Sequence, residues 1–142
     1  MRAVARERGA DVESWGLAGL LHDMDYERFP DPGTGHPRMA LAELERRGVD
    51  AAVLHAIAAH ASYLGVAAES DMARALLAVD ELSGFVLAVA YVRPEGIHGM
   101  TPKSVKKKLK TPAFAAAVYP LVWYLLHRFV LHGRWMWKSK LL

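Results

Sequence analysis

The chain has 142 residues, 53% of them apolar, which suffices for one domain with a single core. It has no cysteine, which excludes a disulfide scaffold and any thiolate metal site, so a metal here must be held by nitrogen and oxygen. The net charge of +3 conceals a division: residues 1–95 carry 9 Lys and Arg against all 15 Asp and Glu, and residues 96–142 carry the other 9 basic residues with no acid. A one-sided basic segment suits an anion-binding tail, or an end with a different origin from the body. The N-terminus is charged and lacks an apolar h-region, so no cleavable signal peptide is expected and a cytoplasmic location is.

Ala and Leu dominate the apolar residues and β-branched runs are few, a composition that favours helices. Met1 to Gly9 reads as the end of a helix, with Gly9 as its stop. Asp11 or Ser14 can cap the next helix, whose buried side is Trp15, Leu17, Ala18, Leu20 and Leu21. This helix ends near His22-Asp23, so the doublet sits where a helix meets a loop. Phe29 to Gly35 holds two prolines and two glycines in seven residues and is a loop. A helix starts near His36-Pro37, with Pro in the first turn, uses Met39, Leu41 and Leu44 as its apolar face, and stops at Gly48.

Asp50 can cap the following helix, with Val53, Leu54, Ile57 and Ala58 as core positions and His60 on the side of Ala56 and Ile57. Ser70-Asp71 opens the longest helix, to about Val92, largely apolar but with Asp80 in its middle. Gly84 in that helix predicts a close helix contact. Arg93 to Gly96 breaks the chain, and Thr101-Pro102 opens a short basic helix. Residues 113–131 are mostly apolar but interrupted by Pro120, His127 and Arg128. No segment alternates with period two, so the expected fold is all-α.

Leu20 to Glu27 places a histidine, three carboxylates and a tyrosine in eight residues after an apolar run. A His-Asp pair offers one neutral nitrogen and one hard anionic oxygen to a divalent cation. His36, His60 and Asp80 add further ligand types from separate helical segments. Asp80 stands among Leu76, Leu77, Val79 and Phe85, where a buried carboxylate is costly unless it meets a cation or strong donor. Each residue also has a plain reading. His36 can be a loop histidine, His60 a half-buried one beside the core, Asp80 a solvated helix residue, and Asp25 and Glu27 turn residues.

The order His-Asp, His, His, Asp resembles the HD-domain metal-dependent phosphohydrolase superfamily, and within it small bacterial HDIG-type members. The resemblance rests on Leu20-Leu21-His22-Asp23-x-Asp25-Tyr26-Glu27, on Ala56-Ile57-x-x-His60 and on Ala78 to Phe85. Val92-Arg93-Pro94 and Lys103-Ser104-Val105-Lys106-Lys107-Lys108 carry it further, over roughly residues 1–118. It implies an HD-like bundle of five to seven helices over 1–118, followed by a divergent tail over 119–142. It also implies hydrolysis of a phosphate ester, possibly a nucleotide, with a divalent Mn, Mg or Fe ion.

By the same resemblance, His22, Asp23 and Asp80 are first-metal ligands. His36 and His60 complete a second metal site or contact the substrate phosphate. Asp23 is at the chemistry, while Asp25, Glu27 or His60 would handle protons. Arg93, Lys103 and Lys106 are the expected cations for a small phosphorylated substrate. The family pattern has a further histidine upstream of the doublet, and none precedes His22 here. The expectation is therefore a cation held by His22, Asp23, Asp80 and water with reduced affinity, and the alternative is a catalytically impaired module that binds a nucleotide or a protein. Nucleic acid is not an expected partner, because the lysine run lacks interleaved aromatics. The charge-free stretch 113–126 is short of the roughly 20 residues needed to span a bilayer, so no membrane partner is expected either. An interfacial helix is the lesser alternative for the tail.

Overall fold

A computed structural model describes residues 1–111 and Phe114 of the chain. Among the described residues there are six α-helices and no strand, as the composition predicts. The chain divides into two units, Met1–Asp80 and Glu81–Leu142. The expected boundary near residue 118 and the tail beyond it lie outside the described residues.

In the first unit, α1 (Arg2–Arg8) ends at Gly9, whose φ of 63° accompanies bonds from its own N–H to the Arg6 carbonyl and from the Ala10 N–H to the Ala5 carbonyl. Asp11, rather than Ser14, caps α2 (Val12–Leu21), accepting from the Glu13 and Ser14 amides. Trp15 and Ala18 face the core, but Leu20 is 73% exposed, against expectation. At about 100° per residue it lies on the far side of α2 from Ala18.

The loop that follows is closed by its own polar groups. Asp31 Oδ1 accepts from the Gly33 and Thr34 amides and the Thr34 hydroxyl, and the His36 amide donates to Phe29 O at 2.7 Å. A Cβ on Gly35 would stand 2.3 Å from Phe29 O, so this close backbone approach requires glycine.

α3 (Arg38–Arg46) buries Ala40 and Leu44, while Met39, expected on its apolar face, is 42% exposed. α4 (Ala51–His60), capped by Asp50, packs against both α2 and α3, and α1 packs on α2. Val53, Ala56, Ile57 and Ala59 are its buried positions; Leu54 and Ala58 are only partly buried. A 3-10 turn at Ser62–Leu64 leads on to α5 (Asp71–Tyr91), whose first turn is capped by the Ser70 hydroxyl. Met72, Ala73 and Leu76 of α5 join Ile57, Trp15 and Leu44 in one cluster. Five alanines in that cluster allow close helix approach, and fully buried Ile57 makes it sensitive: Ile57→Ala should cost about 2–5 kcal/mol.

The second unit contains the end of α5, where Ala88, Val89 and Ala90 are buried, a run of turns, and α6 (Pro102–Leu109). Thr101 and Ser104 form a reciprocal capping box at the start of α6. Gly84 does not mark a close contact: among the described residues, a Cβ there would meet nothing within 4 Å. No helix among the described residues is long and apolar enough to cross a membrane.

Candidate metal centre

Two of the histidines stand at helix C-terminal ends. His22 follows the last residue of α2, and His60 is the last residue of α4. Carbonyls in a last helical turn lack an intrahelical donor. Each ring bends back to one of them, three residues earlier: His22 Nδ1 lies 3.1 Å from Gly19 O, and His60 Nδ1 bonds Ile57 O. A carbonyl only accepts, so Nδ1 carries the proton in both rings and Nε2 presents a lone pair.

The closed loop delivers the third histidine. His36 Nδ1 donates to Asp25 Oδ1 at 2.7 Å, and Asp25 Oδ2 accepts from the Ala40 amide at 2.7 Å. Asp25 is 6% exposed, with both oxygens engaged, so it fixes the His36 ring and the start of α3 together. The Tyr63 hydroxyl donates to the His36 carbonyl at 3.0 Å, and the Tyr26 ring meets His36 edge-on at 4.9 Å. His36 Nε2 is thereby also an inward-facing lone pair.

The three Nε2 atoms converge on Asp23. His36 and His60 Nε2 are 3.2 Å apart, and they lie 3.4 and 3.5 Å from Asp23 Oδ1. The other oxygen, Asp23 Oδ2, is 3.5 Å from His22 Nε2, which is 3.5 Å from Asp80 Oδ1 as well. Asp23 thus belongs to two groups at once, one with His22 and Asp80, the other with His36 and His60.

These separations suit ligands around a cation better than hydrogen-bond partners. Two facing lone pairs at 3.2 Å repel unless a proton or a cation lies between them. Nitrogens held about 2.0–2.1 Å from one metal at tetrahedral or octahedral angles stand roughly 2.9–3.4 Å apart. His22 Nε2 is buried and makes no hydrogen bond, since the 3.5 Å approaches of the carboxylates are too long for a well-formed one. An orphaned buried nitrogen among carboxylates fits a metal ligand. Asp23, His36 and His60 each offer a ligand atom within 4.8 Å of the others.

Charge in the group is coupled. For His22, burial is the largest influence and disfavours the proton, but the Asp80 and Asp23 carboxylates outweigh it and raise the pKa above the ordinary imidazole value. For Asp23, burial pushes upward, yet His60, His22 and His36 together hold the carboxyl below its usual range. Burial, then the Asp23 charge and Tyr63, raise the Tyr26 phenol.

The structure therefore brings His22, Asp23, His36, His60 and Asp80 together. Asp80 is less enclosed than its apolar sequence neighbours imply, with its side chain 44% exposed, one turn beyond buried Leu76. Asp25, expected to handle protons, stands behind His36 with no oxygen to spare, and Glu27 is exposed. Arg93, Lys103 and Lys106 belong to the other unit. Arg93 donates to the Gly96 and His98 carbonyls and lies 3.7 Å from Glu95, which engages its donors locally. Sequence reading missed the role of Tyr63 and the two carbonyls that fix the rings. The carbonyls had a signal: a histidine at a helix C-terminus can reach the orphan carbonyl at i−3.

No curated protein and no solved structure matches this chain. A family model described as HD domain matches residues 1–84, more than half of the chain and all of the group around Asp23. The chain belongs to the HD-domain family.

Proposed function

We propose that the chain is a divalent-metal-dependent phosphohydrolase that cleaves a phosphate ester, with a nucleotide as the substrate class. The observation that carries this reading is the facing pair of His36 and His60 lone pairs, 3.2 Å apart beside the Asp23 carboxylate. His22, Asp23 and Asp80 would hold one cation, and Asp23, His36 and His60 a second, with Mn, Mg or Fe as the ions suited to a nitrogen and oxygen set. When bound, such a cation polarises a phosphoryl oxygen and lowers the pKa of water.

The remaining work belongs to the side chains. In the overall reaction water attacks phosphorus, the P–O bond to the alcohol breaks, and a proton from the water ends on the leaving alcohol oxygen. Asp23 can accept a hydrogen bond from the attacking water and orient it. Asp25 keeps the His36 lone pair pointed inward through the Nδ1 hydrogen bond, a positioning role in place of proton transfer. Tyr63 secures the backbone at the same residue. Asp23 and His60 are the groups nearest the chemistry in this reading, while Asp25 has both oxygens engaged. Arg93 is already committed to its turn, so substrate charge would be met chiefly by the cations.

The test is phosphate release from a panel of nucleoside monophosphates and an aryl phosphate, with added Mn²⁺. The reading expects release that chelation stops and Asp23→Asn removes while helix content by circular dichroism stays. Tight Mn²⁺ binding without release from any ester would leave a metal-binding module and contradict hydrolysis.

A further inference from the structure

We propose that the second unit carries a docking face for an anionic membrane surface, built on the lysine stripe of α6, with exposed apolar side chains in the same unit. The proposal is independent of the hydrolase reading. Lys103, Lys106 and Lys107 of α6 and its C-cap Lys110 fall at i, i+3, i+4 and i+7, one stripe, and all four are exposed. The opposite side, Ser104, Val105 and Lys108, is partly buried, and Lys108 is drawn inward over the Phe114 ring at 4.7 Å. The stripe is therefore turned outward by the way α6 is seated.

Among the described residues, no carboxylate pairs with it. Residues 96–142 contain no acid, and no ion pair to these four lysines occurs among the described residues. Like charges three and four apart on a helix repel, a cost that an anionic partner relieves. The partner must also accept apolar groups. Leu109, on the flank of the stripe, is 52% exposed, and Tyr91, Val92 and Ile97 of the same unit are each at least half exposed.

A lysine stripe flanked by an exposed leucine, in a unit with further exposed aliphatic and aromatic side chains, suits a surface that sinks apolar groups to the acyl boundary and leaves ammonium groups among headgroups. The sequence beyond it keeps this character, with Trp135 and Trp137 between Arg134 and Lys138 and no acid. A nucleic acid matches the charge but not the aliphatic groups, and the stripe has no interleaved aromatic to stack on a base. This departs from the sequence-based expectation of no membrane partner, because seating and exposure are what single out the stripe.

The test is sedimentation of the full chain with vesicles of phosphatidylcholine alone, and with about a quarter phosphatidylserine, a typical anionic surface. Binding is expected only to the anionic vesicles, falling as salt is raised. Each lysine should contribute about fivefold, so replacing all four by Ala should lower partitioning by roughly two orders of magnitude or more. Ile97→Ser with Leu109→Ser should weaken binding while its salt dependence persists, and circular dichroism checks that α6 variants keep their helix content. Equal binding to neutral vesicles, no binding to either, or displacement from anionic vesicles by a duplex oligonucleotide through the same lysines would overturn the proposal.

Discussion

Around Asp23 and along α6 the chain handles charge in opposite ways. In the first region, every imidazole has its Nδ1 assigned to an acceptor, either a terminal helix carbonyl or the buried Asp25 carboxylate. In the second, four ammonium groups share one exposed stripe with no acid to meet them. Directed partners select one tautomer and one orientation, which turns three histidines into converging lone pairs. Undirected charge selects only a sign, and so defines a surface instead of a site.

The sharpest way to break this contrast is to remove direction from the first region. Asp25→Ala leaves every inward-facing atom in place but frees the His36 ring and uncaps Ala40. Mn²⁺ affinity should fall about 10–100-fold, the range seen when a ligand-orienting partner is lost. Stability should fall by about 1–3 kcal/mol from the stranded buried donors, read by thermal unfolding without metal. Unchanged affinity would mean that His36 needs no support, and the contrast would fail.

Acid should act next. The His22 pKa is raised by Asp80 and Asp23, so protons compete for Nε2 at a higher pH than for an ordinary histidine. Mn²⁺ affinity should therefore weaken progressively as pH falls through and below neutrality, measured by titration calorimetry. Replacing the four α6 lysines by Ala should leave that pH profile unmoved, since the two regions use charge differently.

The smallest effect concerns Asp11. Its carboxyl lies below the usual range because the Ser14 hydroxyl, then the Glu13 and Ser14 amides, bond the ionised form. A lowered folded value means stability that is present above the ordinary carboxylate pKa and lost as pH falls through the folded one. Asp11→Asn keeps an acceptor at the cap, and should flatten the acid limb of a melting-temperature profile slightly without shifting it near neutrality.

Helix ends were the most legible part of the fold. Gly9, Asp11, Asp50, Ser70 and Thr101 act through local hydrogen bonds or a single φ angle, so their meaning is contained in a few residues. Core faces were less legible. Leu20 and Met39 were expected to be buried and are exposed, whereas Ala18, as expected, and Ala40, which was not singled out, are buried, because an alanine-rich chain brings its helices close. The residues that meet at the centre could be read from the order His22-Asp23, His36, His60, Asp80. Their tautomers could not, since these depend on which acceptor lies behind each ring after folding. Asp25 shows the same limit: its neighbours in sequence mark it as polar, but only its packing beneath α3 makes it a positioning group.

Calorimetric titration of Mn²⁺ into the purified chain and into Asp23→Ala tests the central claim most directly. Asp23 is the one side chain shared by both halves of the group. The account predicts saturable binding to the unaltered chain and its loss in Asp23→Ala, with helix content retained. Binding of equal affinity and stoichiometry in both proteins would contradict a metal centre organised on Asp23.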